Sequence, residues 1–229
     1  MNQKPKIVAL VPMRDQSERV PGKNYRSLAG KPLFHHILHV LGECPEITQI
    51  VVDTDSETIQ ASLRTDFPSV TILQRPGHLL GGEVPMNSIL LYDISQVPAD
   101  CYVQTHSTNP LLRAKTVSRA IHAFLEAKGT SDSLFTVTEL HTRMYYADGR
   151  ALNHNPAELL RTQDLPAVYE ENSCLYVFNR ESLEKYSHRI GARPLMFPIS
   201  RTEAWDIDEE EDFRIVDFLM RQRQGETHP

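Results

Sequence analysis

The sequence predicts an α/β fold in which a mostly parallel sheet carries helices on both faces. Three observations predict it. Short apolar runs recur along the chain, beginning with IVALV at 7–11 and QIVVDTD at 49–55. Segments with apolar residues at helical spacing separate these runs, and strand–helix alternation of this kind is the signature of a parallel sheet with helices on both sides. The chain has 229 residues of which 40% are apolar, enough for one large domain over 1–229 or one domain with a substantial excursion.

IVALV reads as the first strand. In KPLFHHILHVLG (31–42), Leu33, Phe34, Ile37, Leu38 and Leu41 fall at helical spacing, and Gly42 is placed to stop the helix. QIVVDTD is a second strand running into a helix, SETIQASLRTDF. VTILQ (70–74) is a third strand, and PMNSILLYDIS (85–95) is helical. CYVQTH (101–106) is a strand, TVSRAIHAFLEAKG (116–129) a helix closed by Gly129, and SLFTVT (133–138) another strand. From 139 to 172 the rhythm breaks into a polar, aromatic stretch with an Asp-Gly turn at 148–149. That stretch reads as an excursion, a hairpin plus extended segments, returning to the sheet at CLYVF (174–178). LMFPI (195–199) is a late strand, and 209–223 is a terminal helix with Phe213, Val216, Phe218 and Leu219 supplying its apolar face.

Composition narrows the partners. With 24 basic against 30 acidic residues the formal net charge is −6, which argues against a general binder of nucleic acid or anionic membranes. Cys44, Cys101 and Cys174 are odd in number, far apart and in no CxxC pattern, as expected of free thiols in a reducing compartment. The N-terminal apolar run is too short for a secretory signal, and no stretch approaches the ~18 apolar residues of a membrane span. A cytoplasmic protein is expected.

Charge is concentrated at two places. Arg14, Arg19, Lys23, Arg26 and Lys31 crowd positions 14–31, and seven acids lie between Glu203 and Asp212. The loop VPMRDQSERVPGKN leaves the first strand at its carboxyl end, where ligands of such sheets bind. Its Arg14 and Lys23 flank a turn containing Gly22, stiffened by Pro21. Cations beside a glycine whose backbone N–H groups can face oxygens suit a polyphosphate. The glycine spacing is neither that of a Walker A loop nor GxGxxG, so on physical grounds a phosphate cradle and a solvated basic loop both stay open. Asp206-Ile207-Asp208 places two carboxylates on one side of an extended chain. Such a pair can supply oxygens to a hard divalent ion, though many such pairs are simply surface acids.

RDQSERVPGKN followed by LAGKPL resembles the first motif of the cytidylyltransferases that activate acidic sugars, above all the CMP-sialic acid synthetase (acylneuraminate cytidylyltransferase) family. Arg14, Ser17, Pro21, Gly22, Lys23, Asn24, Leu28, Gly30, Lys31, Pro32 and Leu33 all fall in place. VVDTDSETI, RPGHLLGGEVPMNSILL, VQTHSTNPLLR, LLRTQDLPAVYEENSCLYVF and AWDIDEEEDF extend the resemblance over most of the chain. Gly82, Ser173 and His106 depart from the common pattern and bear on which sugar is taken.

The resemblance implies a Rossmann-like sheet of the nucleotide-diphospho-sugar transferase type. It implies transfer of CMP from CTP to an acidic sugar, with Mg²⁺ on Asp206 and Asp208 and the triphosphate on Arg14 and Lys23. Asn24 and Arg75 are candidates for the ribose and cytosine. Gln104, Arg161 and Tyr176 are candidates for the sugar, with Arg161 set against its carboxylate, and Arg14, Lys23, Gln104 and Asp208 form the expected catalytic set. Asn109 and Arg143 are weaker candidates, and His141 reads as structural or as a subunit contact. In this family the excursion crosses to a second subunit, which implies a homodimer, and Met144, Tyr145, Tyr146 and Leu152 agree because exposed apolar groups need cover. The alternatives are a nucleotidyltransferase for another sugar acid, such as 3-deoxy-octulosonate, or for a sugar phosphate, and a nucleotide-binding module without catalysis.

Overall fold

A computed structural model describes residues 4–226; the first and last three residues of the expected 1–229 domain lie outside the described residues. Nine strands and six α-helices follow one another along it. They are β1 (Ile7–Leu10), β2 (Ser27–Leu28), β3 (Lys31–Pro32), α1 (Leu33–Gly42), β4 (Gln49–Thr54), α2 (Glu57–Asp66), β5 (Thr71–Gln74), α3 (Met86–Gln96), β6 (Cys101–Thr105), α4 (Ala114–Glu126), β7 (Ser133–Leu140), β8 (Val168–Phe178), α5 (Arg180–Tyr186), β9 (Pro194–Pro198) and α6 (Glu210–Glu226). Seven strands form one sheet in the order β5-β4-β1-β6-β8-β7-β9, in which β8 runs against its neighbours. The other pairings in that sheet are parallel.

Period-two alternation divides the core. Ile7, Ala9 and Val11 point to the face covered by α1, α2 and α4, where Phe34, Ile37, Ile59, Val117 and Ile121 are buried. Val8 and Leu10 point to the opposite face with Leu90 and Ile94 of α3 and Leu183 of α5. A third cluster clamps the charged first loop: Val20 and Leu28 pack with Ile207 and with Phe213, Val216 and Met220 of α6. Arg26 binds both carboxylate oxygens of Glu210 at 2.6 and 2.9 Å and lies over the Phe213 ring. Asp217 accepts from the Ala29 N–H. The terminal helix thus fixes the loop after the first strand.

Several boundaries differ from the sequence expectation. Gly42 is the last helical residue of α1 and Glu43, still right-handed, caps it. The terminal helix runs on to Glu226. β7 and β8 stay paired out to Leu140 and Val168, past an irregularity at Phe135–Val137, so the excursion is confined to 141–167. Within it Tyr145 and Ala151 make a bridge around the Asp-Gly turn. The three cysteines are free and buried. No helix among the described residues is long and apolar enough to cross a membrane.

Candidate active site

The carboxyl ends of β1, β5 and β6 open into a cleft of about 320 Å³. Arg14, Lys23, Arg75, Gly82, His106 and Ser107 are among its walls. Gly22 sits in the left-handed region at φ 64°, and a Cβ there would stand 2.6 Å from the Tyr25 ring. Conformation and packing both require glycine at that turn, and the group that approaches it is a side chain of the loop itself. Asn24 is buried, donates to the Arg14 carbonyl at 2.9 Å and accepts from Ser107 Oγ at 2.6 Å. Its amide therefore ties the loop after β1 to the loop after β6, at the cleft wall.

The acid-rich segment closes the other side. Ile207 is wholly buried, so alternation turns Asp206 and Asp208 the same way. The Ile207 N–H bonds the Thr108 carbonyl at 2.9 Å, and Asn109 Nδ2 bonds the Trp205 carbonyl at 3.3 Å. Lys23 Nζ reaches across to the Ile207 carbonyl at 2.6 Å and lies 3.8 Å from Asp208 Oδ1. Burial lowers the Lys23 pKa, opposed by attraction to Asp206 and Asp208. Burial raises the Asp206 carboxyl above its ordinary value, opposed by a hydrogen bond from Thr108. Asp206 Oδ1 is buried with no hydrogen-bond partner, while Asp208 is bound by Arg19 at 2.7 Å. Two hard oxygen donors, one an orphaned buried carboxylate oxygen, fit a divalent cation that shares phosphate and water ligands. Asp206 and Asp208 also line a second hollow of about 450 Å³, which Thr138, Glu171, Ser173 and Arg201 help to enclose.

Residues 8–217 match the family described as cytidylyltransferase. This chain belongs to the cytidylyltransferase family. Its relatives include the post-translational flagellin modification protein B of Campylobacter coli, 23% identical over 95% of this chain and 96% of that one. Another is the CMP-N,N'-diacetyllegionaminic acid synthase of Legionella pneumophila subsp. pneumophila, 26% identical over 96% of this chain and 98% of its own. Among solved structures, a CMP:2-keto-3-deoxy-manno-octonic acid synthetase complexed with CTP superposes with a TM-score of 0.71 at 16% identity, covering 95% of this chain and 99% of that one. The last likeness bears on the fold.

In this cytidylyltransferase the sequence-predicted residues divide into two groups. Arg14, Lys23, Asn24 and Arg75 share the cleft, and Asp206 and Asp208 stand at its border through Lys23. Gln104 is fully buried at the end of β6 and bonds His106, which lines the cleft, at 3.1 Å. Tyr176 is also fully buried, its hydroxyl bonding Glu171 at 2.5 Å and Ser173 at 3.2 Å. Arg161 is not brought to this cleft: it is exposed on the excursion and paired with Asp164 at 2.6 Å. Arg143 is spent on the Leu160 carbonyl and His141 on Leu165 and Glu139 in the same segment.

Three further residues contribute, of which the sequence singled out only Arg19, as one of the loop's cations and with no role assigned. Arg19 reaches Asp208 and Glu209. Arg189, on the loop after α5, donates to Gln104 Oε1 at 2.6 Å. That bond fixes the Gln104 amide so that its nitrogen donates to the Thr105 carbonyl and to His106 Nε2. Burial, with Arg189 and Lys23 nearby, pushes His106 down to about 3, so it is neutral at neutral pH. With Nε2 accepting, its proton sits on Nδ1, and the ring cannot take up another there as a base.

The third is Asp93 of α3, which supports Arg75. Arg75 is buried, ion-paired with Asp53, and donates to the Met13 and Asp53 carbonyls. Asp53 Oδ2 and both Asp93 oxygens lack a partner of good hydrogen-bond geometry, and the two carboxyls act on each other. Burial first, and then Asp53, pushes the Asp93 carboxyl up to about 9, so it keeps its proton at neutral pH and supplies the donor the pair lacks. The unfolded chain loses that proton near the ordinary value of about 4. This contribution to stability is therefore complete below about pH 4 and is lost as pH rises toward 9. Asp93→Asn, which carries permanent N–H donors, is expected to flatten the dependence of Tm on pH between 5 and 9. It should be more stable than wild type by about 1–3 kcal/mol at pH 8. Thermal unfolding across that range checks it, and equal slopes for the two proteins would refute the protonated Asp93.

Proposed function

We propose that this cytidylyltransferase joins CTP to an acidic sugar of the sialic or related nonulosonic acid class, releasing pyrophosphate, with Mg²⁺ as its metal. The observation that carries the reading is the place of Asp206 and Asp208. They border a cation-walled cleft on one side and line a second hollow on the other, where a phosphate ester could form between two substrates. The name of the Legionella relative supports a nonulosonic acid as acceptor. Arg14 and Lys23 hold the triphosphate, and Asn24 and Arg75 frame the end of the cleft suited to the nucleoside. Asp206 and Asp208 would hold the ion, which supplies charge neutralisation at the phosphates and acidifies the attacking hydroxyl.

The sugar's anomeric hydroxyl forms the new bond to the α-phosphorus. The bond from that phosphorus to the bridging oxygen breaks, pyrophosphate leaves, and the hydroxyl proton passes to solvent. The chain's part is to align nucleophile and leaving group and to offset charge that grows on the departing oxygen. No dedicated base is required of His106, whose accepting nitrogen is already occupied by Gln104.

The protein is proposed to act in the cytoplasm as a homodimer paired through the 141–167 segment. Tyr145, Tyr146, Leu152 and Leu159 are exposed there, Leu159 at 94%. Arg161 on that segment is then available to a neighbouring subunit's cleft. Pyrophosphate release should be measured with CTP, Mg²⁺ and three sugars: N-acetylneuraminate, N,N'-diacetyllegionaminate and 3-deoxy-octulosonate. Release with a nine-carbon acid is expected. Preference for 3-deoxy-octulosonate would move the acceptor class, and absence of CTP binding would refute the reading. Sedimentation of a single monomeric species would refute the dimer.

A further inference from the structure

We infer that Arg189 is the cation that meets the carboxylate of the acidic sugar and sets the enzyme's demand for an acid; the inference rests on the reaction proposed above. Four observations carry it. First, Arg189 is a half-buried guanidinium with no carboxylate in ion-pair range among the described residues. Glu171 attracts it only from a distance and is itself bound to the Tyr176 hydroxyl. A cation withdrawn from water without a counter-ion is unfavourable unless an anion completes it. Here burial is the dominant influence on it, lowering its pKa.

Second, its geometry is held in advance. The guanidinium lies 3.6 Å from the centre of the Tyr176 ring, and one N–H is spent on Gln104 Oε1. The rest of the fork, which matches the two oxygens of a carboxylate, has no carboxylate partner. Third, the loop that carries it is pinned beside the cleft. The Arg189 N–H bonds Asn87 Oδ1 at 3.1 Å in the first turn of α3, next to Met86 of the cleft wall. Gln104, its other partner, bonds His106 of the same wall. Fourth, the cation expected from sequence for this task, Arg161, is paired with Asp164 at the surface and is not brought to the cleft of its own subunit.

A single unpaired guanidinium suits one carboxylate better than a phosphate monoester, whose second charge calls for further cations. The chemical class that fits is a sugar acid with its one carboxylate directed at Arg189, which Gln104 holds in place.

The test compares each acidic sugar with its methyl ester, in wild type, Arg189→Ala, Arg189→Lys, Arg161→Ala and Arg201→Ala. Wild type should prefer acid over ester, and Arg189→Ala should raise KM for the acid by about 10- to 100-fold, the worth of a charge-assisted hydrogen bond. The variant's KM for CTP should stay within about twofold, showing an intact nucleotide cleft, and it should treat acid and ester alike. Arg189→Lys should recover part of the preference. A role confined to packing the loop would weaken acid and ester equally. Undiminished preference for the acid in Arg189→Ala overturns the inference alone, as does its loss in Arg161→Ala or Arg201→Ala instead. Absence of pyrophosphate release by wild type with every sugar overturns the inference together with the reaction beneath it, so the two failures are distinguishable.

Discussion

Asp206→Asn is expected to reduce pyrophosphate release by about 10³-fold while leaving the protein as stable as wild type or more so. The two halves of the expectation have one cause. Burial raises the Asp206 carboxyl, so its charged form is disfavoured in the protein alone, and its Oδ1 finds no partner. A buried carboxylate left in this condition costs stability. An isosteric amide removes the charge, and Tm should stay or rise by a few degrees. A residue that destabilises the protein yet governs its activity is the pattern of a functional group held at the expense of the fold. The loss of rate follows from the lost oxygen donor and lost negative charge where the proposed ion would meet the phosphates.

Asp208→Asn separates the two acids. Asp208 is half exposed and already shared between Arg19 and Lys23. Removing its charge releases both cations, and the expected loss is smaller, about 10²-fold. Raised Mg²⁺ should restore part of that activity and little of the activity of Asp206→Asn. A rise in wild-type Tm on adding Mg²⁺ with CTP should vanish in Asp206→Asn, a readout independent of turnover. Wild-type rates in Asp206→Asn would end the metal assignment.

The strands and most of the helices were legible because their burial is periodic. IVALV sends alternate residues to the two faces, and the stripe on α1 is the stripe it buries. What resisted reading is what sequence distance conceals. The outer pairing of β7 with β8 joins polar residues such as Glu139 and Tyr169, whose side chains show no apolar alternation. Asp93 shows no sign in the sequence of its burial, yet it is 1% exposed and interacts with Asp53. Lys23 and the Asp206–Asp208 pair were legible as a motif. The tie between them, an ammonium on the Ile207 carbonyl, spans 184 residues and has no local signature. Arg189 stands alone between a helix and a strand, and only the folded chain places it over Tyr176.

Lys23 is the second position at which a large effect is expected. Lys23→Met keeps much of the aliphatic stem of a side chain that is 12% exposed, and deletes the ammonium. Pyrophosphate release should fall by about 10²–10³-fold with a raised KM for CTP, as when a preorganised donor to a developing charge is lost. The pH dependence tells whether the charge or the shape is responsible. Burial holds the Lys23 pKa below its ordinary value in the unliganded protein, and a triphosphate beside it stabilises the ammonium. CTP binding must then take up a proton on the alkaline side, and wild-type affinity for CTP should decline there as the free ammonium deprotonates. Lys23→Met should bind weakly throughout and lack that limb. Lys23→Arg keeps a charge but exchanges a compact donor for a planar fork. The wild-type donor fits between the Ile207 carbonyl and Asp208, so the fork should restore CTP binding more than turnover. Calorimetry of CTP binding in buffers of different ionisation enthalpy measures the proton directly. Equal uptake by wild type and Lys23→Met would assign it elsewhere and leave the lysine as a tie between the first loop and the acidic segment alone.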